Sequence, residues 1–127
     1  MDKKILIIDD DPHIRMLLDH LFKKNYATNI KENGYDALLY LQEGNIPDMI
    51  ISDLSMPKMN GYDFLANIRE SNFFNTIPFI ILSAKENSTD RIECLKNGAD
   101  DFILKPFNPE ELRVRVSNLF KRINTIN

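Results

Sequence analysis

Short apolar runs recur along the chain and end abruptly in polar residues. Residues 4–8 run into Asp9 and Asp10, the isoleucine-rich run 49–52 into Asp53, 79–82 into Ser83, and 102–104 into Lys105. Runs of this length, with turn residues behind them, read as buried strands. Residues 26–30 make a further run, weaker and more polar, which suits a strand at a sheet edge.

Between these runs the apolar spacing lengthens to that of a helix. Asp11-Pro12 reads as an N-cap and first helical residue, because proline lacks the donor that position would leave unused. Ile14, Leu17, Leu18, Leu21 and Phe22 then make one apolar face. Asn33-Gly34 reads as a turn before a second helix with Ala37, Leu38 and Leu41, ending near Gly44. Gly61 opens a third helix with Leu65 and Ile68 inward. A fourth starts at Ser88 or Thr89 and stops at Asn97-Gly98. Its apolar face is thin, essentially Ile92 and Leu95, so it is expected to be among the least stable elements. Asn108-Pro109-Glu110-Glu111 predicts an N-cap, a first-turn proline and a capping-box glutamate. Leu112, Val116, Leu119, Phe120 and Ile123 line the last helix.

Five strands alternating with five helices predict an α/β fold. The expected form is a doubly wound, five-stranded parallel sheet in the order 2-1-3-4-5, the flavodoxin-like (βα)5 arrangement. That order sets strands one and three side by side, so Asp9, Asp10 and Asp53 meet at the topological switch point.

Composition narrows the class. The 127 residues suit one domain spanning 1–127. The net charge of −3 argues against nucleic-acid binding by this domain alone. Cys94 is the only cysteine, so no internal disulfide forms. No run has the length of a membrane helix or the pattern of a secretory signal, and a cytoplasmic setting without membrane contact is expected.

Clustered carboxylates repel one another and stay ionised together when a hard cation sits among them. Oxygen donors with room for water suit Mg²⁺. Lys105 supplies a compact positive charge for an anion, and aspartate is a known phosphoryl acceptor. These residues predict that Asp53 takes a phosphoryl group with Mg²⁺ present. Asp11 reads as a helix cap, not a ligand. His13 and His20 are spaced for neither a metal pair nor a catalytic dyad, and Cys94 reads as a packing residue.

Ile-Asp-Asp-Asp-Pro at 8–12, Asp-Leu-Ser-Met-Pro at 53–57, Asn-Gly at 60–61, Ser-Ala at 83–84 and Lys-Pro-Phe at 105–107 together resemble the receiver domain of bacterial two-component response regulators. The resemblance covers the whole chain. It implies that Asp9 and Asp10 hold Mg²⁺ and that the backbone carbonyl of Ser55 completes the site. It implies that Asp53 is phosphorylated by a sensor histidine kinase, a phosphotransfer protein or a small phosphodonor, with Ser83 and Lys105 gripping the phosphoryl oxygens. Phe102 stands at the family's aromatic switch position, where it is expected to turn inward as Ser83 moves. Ser55 and Lys85 stand where the family influences dephosphorylation. The Lys105-Pro106 peptide is expected to be cis. Arg91, Asp100, Asp101, Glu111 and Arg115 resemble the OmpR/PhoB-type face of helix four, strand five and helix five, which implies a phosphorylation-favoured homodimer. The last helix, ending in Lys121-Arg122, resembles receivers that continue into a C-terminal DNA-binding output domain. Either that or a stand-alone receiver is expected.

Two rival classes remain. An aspartyl-phosphate phosphatase would turn over substrate, but it wants a second acid two residues after the nucleophile, where this chain has Ser55. A receiver-like binding module would work without phosphate, and the complete acidic set argues against it. The expected function is a signalling switch, not a turnover enzyme.

Overall fold

The sheet is built from β1 (Lys4–Ile8), β2 (Ala27–Lys31), β3 (Met49–Asp53), β4 (Phe79–Ser83) and β5 (Asp101–Leu104), all parallel, in the order β2-β1-β3-β4-β5. The helices are α1 (Pro12–Phe22), α2 (Gly34–Gln42), α3 (Gly61–Glu70), α4 (Ser88–Lys96) and α5 (Pro109–Thr125). The computed structural model describes residues 2–84 and 88–125. Lys85 therefore lies outside the described residues.

Strand burial follows position. The three inner strands carry the isoleucine and leucine runs, and β3 and β4 are buried at every residue. β2, polar in sequence, is the edge strand beside β1. Both faces are covered. Leu6, Ile8, Ile50, Phe79 and Ile81 pack with Ala37, Phe64, Leu65 and Ile68 under α2, α3 and α4. Ile5, Ile7, Ile51, Ile80 and Leu82 pack with Leu18, Phe22, Leu112 and Val116 under α1 and α5. Alternate residues of one strand thus serve opposite cores, which is why the inner strands read as continuous apolar runs. Among the described residues no helix is long and apolar enough to cross a membrane.

Several local expectations are corrected. Leu17 is 39% exposed, because the buried line of α1 runs through Leu18 and Phe22, one turn apart. Asn33-Gly34 is not a free turn. Asn33 is the N-cap of α2, its side chain accepting from Asp36 N–H at 2.8 Å, and Gly34 is already helical. In α4 the buried residue is Cys94, whereas Ile92 and Leu95 are exposed. The inner line of that helix runs through Cys94 and not through the sparse apolar pair. Asn108 does cap α5, accepting from Glu110 and Glu111 N–H. Glu111, however, directs its carboxylate to Arg115 at 3.3 Å. An arginine one turn on competes for a carboxylate that a capping box would turn back.

Candidate functional site

Strand register brings the polar ends together. Ile8 pairs with Ser52, Asp53 with Leu82, and Ser83 with Leu104. Asp9 follows the first of these pairs and Lys105 the last, at the same carboxyl edge of the sheet. The Leu54 amide bonds the Leu82 carbonyl at 3.0 Å, and the Lys105 amide bonds the Ser83 carbonyl at 2.7 Å. The ladder thus runs on past each strand end and holds the polar residues in one row.

Asp9, Asp10 and Asp53 each offer a carboxylate oxygen, all lying within 4.8 Å of one another. Asp9 and Asp53 are buried and Asp10 is exposed. Asp9 Oδ1 accepts from the Asp11 amide at 2.9 Å, and its Oδ2 accepts from Lys105 Nζ at 2.7 Å. Asp53 Oδ1 accepts from the Leu54 amide at 2.9 Å and lies 3.3 Å from Lys105 Nζ. Burial first, then the charge of Asp9, pushes the Asp53 carboxyl up to about 6, against the lowering pull of Lys105 and the Leu54 amide. Burial pulls the Lys105 ammonium down, but its bond to Asp9 and the charges of both aspartates outweigh this and leave it raised. A cation among the acids would relieve the strain that raises Asp53. The donor set, hard oxygens with one exposed member, fits a hydrated divalent ion such as Mg²⁺.

The remaining candidates fall as follows. Ser83 is buried at the end of β4. Ser55 is exposed in the loop after β3, where Lys58 takes a positive φ of 67°. Asp11 caps α1, accepting from the His13 amide at 2.9 Å. The Lys105-Pro106 peptide is cis. Phe102 is 8% exposed and already packs in the core with Ile81 and Cys94, with the Arg91 guanidinium 5.8 Å above its ring. An outward-facing ring waiting to turn in is therefore not what this structure contains.

On the helix-four, strand-five and helix-five face, Arg115 pairs with Asp101 at 3.0 Å and with Glu111 at 3.3 Å. Asp100 is turned elsewhere. Its Oδ2 accepts from the Phe79 amide at 2.9 Å and pairs with Arg69 of α3 at 3.3 Å.

Three residues of consequence carried no motif. Arg15 donates to the Asp9 carbonyl at 2.8 Å and so braces the acidic turn from α1. Its position one turn beyond the cap Asp11 was the only available signal. Arg69 bonds the carbonyls of Gly98 at 2.9 Å and Ile77 at 2.7 Å. Tyr62 reaches Asp90 of α4. Neither of these long-range bonds has a sequence signature.

Comparison with known proteins gives the same answer over nearly the whole chain. Residues 5–117 match the family model of the response regulator receiver domain. The transcriptional regulatory protein ResD of Bacillus subtilis is 39% identical over 122 residues, 95% of this chain and 49% of ResD. The sensor histidine kinase TmoS of Ectopseudomonas mendocina is 37% identical over 116 residues, 91% of this chain and 12% of TmoS. The chain thus spans about half the length of the regulators it matches and a smaller part of the kinases. Among solved structures, the receiver domain of the Francisella response regulator 1452 has 37% identity and a TM-score of 0.87, covering 96% of this chain and 99% of that one. CheY4 of Vibrio cholerae has 29% identity and a TM-score of 0.86, covering 93% and 98%. With the acidic edge, the strand order and these likenesses in agreement, the chain belongs to the response regulator receiver domains, a family of phosphorylation-dependent signalling switches.

Proposed function

We propose that this domain is switched by phosphorylation of Asp53, taking the phosphoryl group from the phosphohistidine of a sensor kinase or phosphotransfer protein, or from a small acyl phosphate. The observation that carries this reading is the burial of Asp53 beside Asp9 and within 3.3 Å of the Lys105 ammonium. An Asp53 carboxylate oxygen attacks phosphorus, the bond from phosphorus to the donor nitrogen or oxygen breaks, and a mixed anhydride forms. The Leu54 amide and Lys105 both hold Oδ1, which fixes the carboxylate for that attack.

Asp9, Asp10, Asp53 and the Ser55 backbone carbonyl are the groups to hold Mg²⁺. The ion would offset the charge of the acids and of the phosphoryl oxygens. Lys105 is shared between Asp9 and Asp53 before reaction, and it turns to the phosphoryl oxygens after. Ser83, at the end of the neighbouring strand, donates to the same oxygens. A few charge-assisted bonds at roughly 1.5–3 kcal/mol each supply the ~5.5 kcal/mol that moves a two-state switch from mostly off to mostly on.

The output is a change in the face of α4, β5 and α5. Phe102 and Arg91 repack together there, because the ring is already covered. Arg115, Asp101 and Glu111 exchange their internal pairs for pairs across a symmetric homodimer. Relatives named as transcriptional regulators about twice this length support a role in which this domain governs a C-terminal DNA-binding part in the cytoplasm. Intact mass after incubation with acetyl phosphate and Mg²⁺ tests the proposal. The wild type is expected to gain one phosphoryl group and Asp53→Asn none. Equal gain in both overturns the assignment.

A further inference from the structure

α3 begins on the backbone of Asp53 and Leu54. The Gly61 amide donates to the Leu54 carbonyl at 2.8 Å. A Cβ at Gly61 would lie 2.5 Å from the Asp53 carbonyl oxygen, so no side chain fits between this turn and the end of β3. A shift of the backbone at residues 53 and 54 is passed directly to the first turn of α3, because close-packed contacts transmit displacement.

The next residue, Tyr62, faces α4. Its hydroxyl donates to Asp90 Oδ1, and its ring packs against the core cluster that includes Cys94. Asp90 and Cys94 are four residues apart and lie on one face of α4. That face is the inner one, since Cys94 is buried while Ile92 and Leu95 are exposed. At the far end of the helix, Arg69 of α3 donates to the Gly98 carbonyl at 2.9 Å. Gly98 has φ of +105°, and a Cβ there would meet Arg69 Nε at 2.8 Å. α4 is thus mounted on α3 by polar contacts at both ends, with little apolar area beneath it.

We propose that Tyr62 is a positioning residue for signal output. It seats α4 on the turn that lies against Asp53, and so gives the phosphoacceptor a second route to α4 beside Ser83 and Phe102. The route rests on the reading of Asp53 as the phosphoacceptor. The seat is suited to release. The hydroxyl–carboxylate bond of a partly exposed tyrosine can break while the ring stays packed on the core cluster beneath α4.

Amide hydrogen exchange across residues 91–96 tests this, with phosphoryl occupancy followed by mass in each sample. The proteins are wild type, Tyr62→Phe, Asp90→Asn, Ser83→Ala and the Tyr62→Phe/Ser83→Ala double variant, each with and without acetyl phosphate and Mg²⁺. Unmodified Tyr62→Phe is expected to exchange about tenfold faster across α4, the loss of one hydrogen bond to a charged group, while β1 and β3 keep their rates. Asp90→Asn retains an oxygen acceptor and is expected to fall between. On phosphorylation, Ser83→Ala is expected to keep part of the α4 response and the double variant none. Wild-type exchange in Tyr62→Phe, equal acceleration in β1 and β3, or loss of the whole response in Ser83→Ala alone overturns the proposal. Failure of the wild type to gain a phosphoryl group instead overturns the reading of Asp53 and the route with it, and the unmodified samples still decide the seat.

Discussion

Lys105 Nζ bonds Asp9 Oδ2 at 2.7 Å, joining the last strand to the first across the carboxyl edge of the sheet. Asp9 is fully buried, so this pair keeps a carboxylate from being stranded in the interior. Removing one partner of such a pair costs more than the pair contributes, because the other charge stays buried. Lys105→Met is expected to destabilise the metal-free protein by about 3 kcal/mol. Urea unfolding checks this, and added Mg²⁺ is expected to recover part of the loss. A change below the error of the measurement would mean that Asp9 is satisfied by other means.

Asp53 itself is held at a disadvantage. Its carboxyl rises from an ordinary 3.8 in the unfolded chain to about 6 in the folded one. Between those values the native state binds more protons, so stability falls as pH rises through this window. The penalty is complete above the folded value and absent below the unfolded one. Asp53→Asn removes the charge. Without metal it is expected to be more stable than wild type by about 1–3 kcal/mol at pH 7.5, the difference disappearing below pH 4. Thermal unfolding across pH checks this. A difference that does not vary with pH contradicts the burial argument.

The same charge makes a divalent ion stabilising. At ten times its dissociation constant, Mg²⁺ is expected to add about 1.4 kcal/mol to the wild type. Asp10 is exposed, so Asp10→Asn is expected to leave metal-free stability almost unchanged while removing most of the response to Mg²⁺. Calorimetric titration separates the two effects. Undiminished binding in Asp10→Asn would remove that residue from the metal site.

Arg115 bridges Asp101 and Glu111 within one chain, and these exposed pairs contribute little to stability. Arg115→Ala is therefore expected to fold as wild type does, with a loss of less than about 1 kcal/mol. It is also expected to fail to form, in sedimentation, the phosphorylation-dependent dimer proposed above. Arg69→Ala is the contrast. Its bonds to the carbonyls of Gly98 and Ile77 and to Asp100 are internal, so it is expected to lose stability before association.

The strands and the polar residue behind each were legible because a parallel sheet covered on both faces needs unbroken apolar runs. Their placement at one edge then followed from strand order alone. The helix faces were read less well where apolar residues are few. In α4 the inner line is marked by Asp90 and Cys94, and a carboxylate bound to Tyr62 has no apolar signature. Asp100 looked like part of the output face beside Asp101. Adjacent residues entering a strand point to opposite sides, and only Asp101 meets α5. Tyr62 and Arg69 act over long sequence separations, which no local pattern records, and Arg15 reaches the Asp9 carbonyl from the first turn of α1 without any motif.

The phosphoryl group's position on the chain tests the central claim most directly. After exposure to acetyl phosphate and Mg²⁺, borohydride reduces an aspartyl phosphate to homoserine, and fragment masses locate it. Homoserine at position 53, and at no other aspartate, is the expected result. Homoserine at Asp9 or Asp10, or none at all in protein that has bound Mg²⁺, would contradict the account.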